Sequence, residues 1–229
     1  MDAVLYNVDL YLKGFGYTIF LFLVSAVLSL ALGTVLASFR VGPVAVLRVF
    51  ASTYVTLVRN TPLVIIFLFF QVGAGKIVDW LRFGWVDIHI GPFDFTSFFT
   101  AAVAALSLYT SAFVCESIRA GVNSVALGQA EAARAIGLPF SGVMAQVVLP
   151  QAFRASVPPL ASTFIALLKN TSVAGVFGVL EAAARMKGFT NDYADQRWGI
   201  FLAFAIGYVI LVEIVSVVAT VIERRWRVA

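Results

Sequence analysis

Five long apolar stretches alternate with short polar connections along the chain. They cover roughly residues 15–39, 46–72, 96–118, 155–180 and 198–222. A helix needs about 20 apolar residues to cross the hydrocarbon core of a bilayer, and each stretch reaches that length. The pattern therefore predicts an all-α membrane protein with five transmembrane helices, forming a single transmembrane domain over residues 1–229.

Two patterns inside these stretches predict how the helices pack. Small residues recur every four positions in the first stretch, at Ser25, Ser29, Gly33 and Ala37. Such a stripe lets a neighbouring helix approach closely.

In the second stretch, Pro62 removes a backbone hydrogen bond and should break or bend the helix. Broken helices at membrane depth are tolerated where they line a cavity.

Composition agrees with a lipid environment and excludes several chemistries. Hydrophobic residues make up 61% of the 229 residues and charged residues 12%, whereas a soluble domain carries about a quarter charged residues. Cys115 and His89 are the only cysteine and histidine, so neither an internal disulfide nor a histidine-rich metal site is expected. The first stretch is too long for the core of a cleavable signal peptide, and it is interpreted as a retained span.

Basic residues predict the orientation, because they are enriched in cytoplasmic loops. The first and third connections and the C-terminus carry most of them: Arg40, Arg48, Arg119, Arg134, Arg154, Arg224, Arg225 and Arg227. The N-terminus is therefore expected outside and the C-terminus in the cytoplasm. The second connection carries Trp80, Phe83, Trp85 and Phe93, which are predicted to form an aromatic belt at the outer interface.

Four ionisable residues lie within or at the ends of the spans, namely Arg59, Glu116, Lys169 and Glu213. A charge at mid-bilayer costs about 3 kcal/mol, so each should face a partner, water or a cavity. Arg59 and Lys169 could attract the carboxylates of a solute, or they could pair with Glu116 or Glu213. Lys169 is expected to share one helix face with Ser162 and Ala166, on a polar stripe directed at a common path.

The third connection, about residues 119–154, predicts two short helices. Alanines favour a helix over 129–136, and Gly137 suits the left-handed conformation that ends a helix. A second helix is predicted from Ser141 to Leu149, with Pro150 as its end. The pair would form a compact cytoplasmic knob for a partner protein, or an amphipathic connector lying on the membrane.

The same connection carries a family resemblance. The order Glu131-Ala132-Ala133, Gly137 and Val147-Val148-Leu149-Pro150 is similar to the EAA motif of membrane subunits of bacterial ABC importers. That motif usually has isoleucine at the position of Val147. Val58-Arg59-Asn60-Thr61-Pro62-Leu63 and Leu168-Lys169-Asn170-Thr171-Ser172 narrow the resemblance to the polar amino acid permeases of type I importers, although glycine and aspartate are commoner at the two asparagine positions.

The resemblance implies a type I ABC importer permease fold and a defined set of partners. These are a second permease subunit, identical or homologous, two cytoplasmic ATPase subunits and an extracellular solute-binding protein; no nucleic acid is expected. ATP and magnesium would bind at the ATPase partners, and no cofactor at this chain, which carries no Walker A loop.

The resemblance also implies site residues and a solute. The ATPase-coupling residues would be Glu131, Ala132, Ala133 and Gly137. The substrate-binding residues would be Arg59, Thr61, Glu116, Lys169, Asn170, Thr171 and Ser172. The solute expected is an acidic or amide amino acid such as glutamate or glutamine.

The alternative to an ABC importer subunit is a stand-alone secondary transporter or channel that uses Arg59, Glu116 and Lys169. Dependence of transport on ATP distinguishes the two. An enzyme is disfavoured because the sequence shows no nucleophile–base pair.

Overall fold

A computed structural model of the chain describes residues 2–226. The long helices are α2 (Val8–Val41), α3 (Ala45–Asn60), α6 (Ser97–Asn123), α9 (Leu149–Asn170) and α11 (Arg197–Trp226). The short helices are α1 (Asp2–Tyr6), α4 (Leu63–Leu68), α5 (Ala74–Ile77), α7 (Leu127–Ala135), α8 (Phe140–Val143) and α10 (Ala182–Asp192). Four helical segments of this part are long and apolar enough to cross a membrane, and a bent helix pair provides a fifth. The predicted all-α fold with five spans is confirmed.

The second span is broken where the sequence predicts it. Helix α3 ends at Asn60, α4 begins at Leu63, and the two axes meet at 104°. Pro62 lies at the break with φ of −57°, which its ring imposes, and it has no N–H to continue the α3 ladder. Beyond α4 the chain passes through a π-helix (Phe69–Gly73) into α5.

Helix α6 is the centre of the bundle, with 14 of its 27 residues buried. The small residues Ser25, Ser29, Gly33 and Ala37 of α2 are all buried. A Cβ placed at Gly33 would lie 2.8 Å from the carbonyl oxygen of Ser111 on α6, so only glycine allows this approach. The predicted role of the small-residue stripe in close helix packing is confirmed.

The fourth span begins earlier than expected and changes its helix type. Helix α9 starts at Leu149 and ends at Asn170, and a 3₁₀-helix continues from Thr171 to Phe177. Gly178, with φ of +92°, then turns the chain toward α10. The predicted span of about 155–180 thus lies mostly within a longer helical segment that starts before it and ends as a 3₁₀-helix at Phe177.

The third connection contains the predicted knob with one correction. Helix α7 is followed by Gly137 at φ +89°, as predicted. However, α8 is capped by Pro139 rather than Ser141, and it runs through a π-helix (Met144–Val148) directly into α9. Pro150 lies in the first turn of α9 instead of ending a helix, because a first-turn residue needs no intrahelical N–H bond.

A buried carboxylate fixes α10 to the bundle. Glu181 is the N-cap of α10 and is fully buried. It accepts hydrogen bonds from the amides of Ala183 at 2.8 Å and Ala184 at 2.9 Å, and from the hydroxyl of Tyr208 on α11 at 2.8 Å. The amide of Ala182 donates to Thr18 on α2 at 3.2 Å. These bonds link α10 to the first and last spans, since buried polar groups require partners.

The segment before α6 forms a small β-hairpin. It contains a 3₁₀-helix (Asp79–Arg82), β1 (Ile88–Ile90) and β2 (Phe93–Phe95), which pair antiparallel with His89 opposite Asp94. The predicted aromatic belt is only partly present. Trp80 and Trp85 are exposed, but Phe83 is buried at 7% exposure.

Phe93 is half-buried and packs edge-to-face against Tyr17 and Phe20 of α2. Phe93 therefore holds the loop on the bundle, and Phe83 is buried, so neither matches the predicted exposed belt.

We predict that protonation of His89 stabilises the hairpin. Its Nδ1 lies 2.7 Å from Asp94 and its Nε2 lies 3.2 Å from Asp87. The hydrogen bond with Asp94 and the charge of Asp87 raise the pKa of His89 above its usual 6.5. Stability from the protonated ring is thus complete below pH 6.5 and is lost as pH rises through the raised pKa.

His89 is the only histidine, so one NMR titration of its ring measures this pKa. We expect Asp94→Asn to lower it, with Asp9→Asn, on an exposed residue of α2, as the matched control. A wild-type pKa at or below 6.5 would contradict the prediction.

Candidate functional site

Glu116 of α6 is surrounded by three arginines from three helices. Arg40, near the end of α2, is hydrogen-bonded to Oε1 of Glu116. Arg119, one turn further along α6, donates to Oε2 from Nε at 3.1 Å and from Nη2 at 2.9 Å. Arg59, near the end of α3, lies 3.6 Å from Oε1. We call these four residues the arginine cluster.

Of the three arginines, Arg59 lies farthest from Glu116 and is the most exposed. The side chains of Arg40 and Glu116 are 17% and 20% exposed, whereas that of Arg59 is 47% exposed. Arg59 also lies over the ring of Phe113, 5.6 Å from its centroid, a favourable cation–π arrangement. Three cations share one carboxylate, so the cluster carries a net charge of +2.

The structure therefore contains the contact between Arg59 and Glu116 that the sequence left as an alternative, and Glu116 also pairs with Arg119 one turn along the same helix. Sequence reasoning missed Arg40 as a member. Because Arg40 lies beside a connection, it served only to predict the orientation of the chain in the membrane. It also lies 76 residues from Glu116 in the sequence. No local spacing links the two.

A cleft of about 440 Å³ lies between α6 and α9. It is lined by Tyr109, Thr110, Phe113, Ser162, Thr163, Ala166, Leu167 and Asn170. We call it the α6–α9 cleft. Hydroxyl and amide groups share its wall with apolar side chains, as is typical of small-molecule sites. Phe113 is both part of this wall and the ring below Arg59, so the arginine cluster adjoins the cleft.

A second cleft of about 400 Å³ lies between α9 and α11. It is lined by Lys169, Ser172, Tyr208, Val209, Val212 and Glu213. We call it the α9–α11 cleft. Lys169 is exposed in it, and among residues 2–226 this lysine has no ion-pair partner within 4.0 Å. Of the two alternatives for Lys169, the ion pair with Glu116 or Glu213 is not formed in this structure.

The seven predicted substrate residues do not form one site. Asn170 lines the α6–α9 cleft, while Lys169 and Ser172 line the α9–α11 cleft. Successive helical residues point about 100° apart. Asn170 continues the four-residue row of Ser162 and Ala166, and Lys169 turns toward α11. Lys169 lies seven residues after Ser162, so the two are close on the helix wheel, but Lys169 lines the α9–α11 cleft and does not share a common path with Ser162 and Ala166.

The two predicted threonines bond to their own helices. Thr171 is fully buried, and its Oγ1 donates to the carbonyl of Leu168 at 2.6 Å. Thr61 is half-buried next to the break in the second span, and its Oγ1 donates to Leu57 at 2.8 Å. Thr171 is therefore out of reach of a solute in this conformation.

The knob presents Glu131, Ala132 and Gly137 at its surface, all exposed. Ala133 is different, because it is buried against Val143 and Val148. It holds the two halves of the knob together and does not offer a contact surface.

Exposed apolar side chains flank the helix of the knob. Leu127 and Ile136 are each 81% exposed. Exposed apolar side chains of this kind are typical of a surface that contacts a partner protein or the membrane. Sequence reasoning concentrated on the Glu-Ala-Ala triplet and overlooked both.

The sequence matches the family described as binding-protein-dependent transport system inner membrane component over residues 29–228. The glutamate transport system permease protein GluC of Corynebacterium efficiens is 42% identical over 205 residues, covering 87% of this chain and 86% of that protein. The glutamate/aspartate import permease protein GltJ of Escherichia coli is 31% identical over 215 residues, covering 94% and 86%.

The fold is also that of a solved transporter. A crystal structure of an amino acid ABC transporter with histidines superposes with a TM-score of 0.83 at 26% identity, covering 97% of this chain and 96% of that one. Sequence and fold agree along nearly the whole chain. This multi-pass membrane protein therefore belongs to the family of inner membrane components of binding-protein-dependent transport systems.

Proposed function

We propose that the chain is the permease subunit of an ATP-driven importer for acidic amino acids. In this proposal it pairs with a second permease subunit, identical or homologous. Two cytoplasmic ATPase subunits hold ATP and magnesium, and an extracellular binding protein delivers the solute. The N-terminus lies outside and the C-terminus in the cytoplasm, which places the knob on the side of the ATPases.

The observation that carries the substrate class is the unpaired cation Lys169. An ammonium group at membrane depth is costly unless water or an anion accompanies it. In the α9–α11 cleft it lies among Ser172, Tyr208 and Glu213. An amino acid bound here would place a carboxylate on Lys169 and its ammonium group toward Glu213.

The arginine cluster supports a solute with a second carboxylate. Arg40 and Arg119 already hydrogen-bond to Glu116, so Arg59 is available to another anion. Because Arg59 adjoins the α6–α9 cleft and Lys169 lines the α9–α11 cleft, a solute would meet the two cations one after the other, and the net negative charge of glutamate and aspartate favours both contacts. The two glutamate-transporting relatives support the same class. Amides such as glutamine would use Lys169 alone.

The knob supports the proposed coupling to ATP hydrolysis. From Phe140 to Asn170 the chain is helical without interruption, through α8, the π-helix and α9. A displacement of the knob by an ATPase subunit would therefore be carried along α9 to Asn170 and Lys169. This direct mechanical link supports a transition between inward- and outward-facing arrangements.

The proposal predicts ATP-dependent uptake that requires Lys169. In proteoliposomes containing the permease, its ATPase and its binding protein, wild type should accumulate glutamate only with ATP. Lys169→Ala should reduce uptake about tenfold, because a charge-assisted hydrogen bond to the carboxylate is lost, while ATPase assembly is retained. Lys169→Arg should restore much of the uptake.

Lys187→Ala is the matched control, since Lys187 is also an exposed lysine but lies outside both clefts. Uptake by the chain alone on an ion gradient would refute the ATP-driven proposal. Full uptake by Lys169→Ala would refute the role of Lys169 but not the transporter class.

A second prediction concerns the knob. Glu131 is exposed, so Glu131→Lys should leave the fold intact and weaken ATPase binding by reversing a surface charge. Co-purification with the ATPase and solute-stimulated ATP hydrolysis should both fall several-fold. Asp192→Lys, on an exposed residue at the end of α10, makes the same charge change away from the knob and should have no effect. Equal ATPase recruitment by the two variants would contradict the coupling role.

A further inference from the structure

A third cleft lies at the end of the bundle opposite the knob. Its volume is about 350 Å³, and it lies between the π-helix–α5 segment and the first turns of α6. Helix α6 begins at this cleft, and three residues separate its other end from α7, the first helix of the knob. The cleft and the knob therefore lie at opposite ends of α6. We call it the end cleft. Neither the arginine cluster nor Lys169 takes part in it.

The end cleft is lined by two cations and by no Asp or Glu of the described residues. Two contacts with Gly75 hold Arg82 in place. Its Nε donates to the carbonyl of Gly75 at 2.8 Å, and its Cγ fills the position where any other residue at 75 would have its Cβ. Its Nη2 lies 3.2 Å from Asp79, whose side chain is 91% exposed. A water-exposed pair of this kind is weak, so the outer nitrogens of Arg82 remain available to a stronger anion.

The second cation is Lys76. Among residues 2–226 it has no ion-pair partner, and it lines the end cleft together with Gln71 and Ser97. The amide nitrogen of Gln71 donates to the carbonyl of Phe98 at 3.0 Å, which fixes the side chain against α6. The cleft lining thus includes an ammonium, a guanidinium and a hydroxyl, which are the groups that bind an anionic oxygen group.

The rest of the wall is apolar and extends to exposed side chains on the surface of the bundle. Phe70, Val72 and Phe98 also line the end cleft, and Val72 and Phe98 are 55% and 50% exposed. A ligand that satisfies this cleft therefore joins a negative head to an apolar tail. Trp80 and Trp85 are exposed in the adjoining segment, as expected at the membrane–water interface.

We propose that the end cleft binds the phosphate of an anionic phospholipid, with the first part of an acyl chain along Val72 and Phe98. The ammonium of Lys76 and the guanidinium of Arg82 can form charge-assisted hydrogen bonds with the phosphate oxygens of such a headgroup. The bound lipid would pin the broken second span to the start of α6, because Lys76 and Arg82 belong to one segment and Ser97 to the other. The proposal is independent of which solute the permease carries.

Native mass spectrometry of the full-length chain, delipidated and titrated with phosphatidylglycerol or phosphatidylcholine, tests the site. Wild type should bind one phosphatidylglycerol about tenfold more tightly than phosphatidylcholine. Lys76→Gln with Arg82→Gln should remove this preference. Lys76→Gln alone leaves the Arg82–Gly75 bond intact and should remove part of it, so the loss cannot be ascribed to unfolding. Lys187→Gln with Arg197→Gln removes two exposed cations elsewhere and should leave the preference unchanged.

A competition with free glutamate distinguishes a lipid phosphate from a solute carboxylate. Saturating glutamate should not displace phosphatidylglycerol from the wild-type chain. Displacement by glutamate would overturn the proposal and would assign the end cleft to the solute. An equal preference for phosphatidylglycerol in wild type and in the Lys76/Arg82 double variant would also overturn it.

Discussion

The carboxylate of Glu116 is hydrogen-bonded to Arg40 and Arg119 and lies 3.6 Å from Arg59, at the point where α2, α3 and α6 approach one another. A carboxylate that is only 20% exposed requires partners for its charge. Arg40 ties α2 to the central helix through it, and Arg59 ties α3 more loosely at the longer distance. The guanidinium of Arg59 in turn lies over Phe113, which lines the α6–α9 cleft.

Close packing and buried hydrogen bonds join the helices of the bundle. Helices α2 and α6 pack closely through Gly33, α6 and α9 through Gly121, and Glu181 joins α10 to α11 and α2. Helix α9 is also continuous with the knob and carries one wall of each cleft next to it. In the proposed mechanism, a push on the knob moves Asn170 and Lys169 relative to the facing helices. Energy input and solute contact thus meet on a single helix.

Local signals in the sequence predicted most of the fold. The five apolar stretches, the break at Pro62 and the left-handed Gly137 each follow from a few neighbouring residues. The predictions that were wrong or incomplete concerned contacts between residues far apart in the sequence, or the direction in which a side chain points. Arg40 meets Glu116 only after α2 and α6 pack. Lys169 and Asn170 are adjacent in sequence, yet helical rotation sends them to different clefts. Pro150 fits the first turn of a helix as well as the end of one, and only the structure shows which applies.

The central claim, that one carboxylate holds three helices together, is tested most directly by a double-mutant cycle in thermal unfolding of the chain in nanodiscs. Glu116→Gln should destabilise the chain, because it leaves three arginines without their counter-ion. Arg40→Gln added to it should cost less than Arg40→Gln alone, giving a coupling energy of about 1–3 kcal/mol. Arg59→Gln should couple more weakly, in keeping with its longer distance of 3.6 Å. Additive effects of Glu116→Gln and Arg40→Gln would contradict the account.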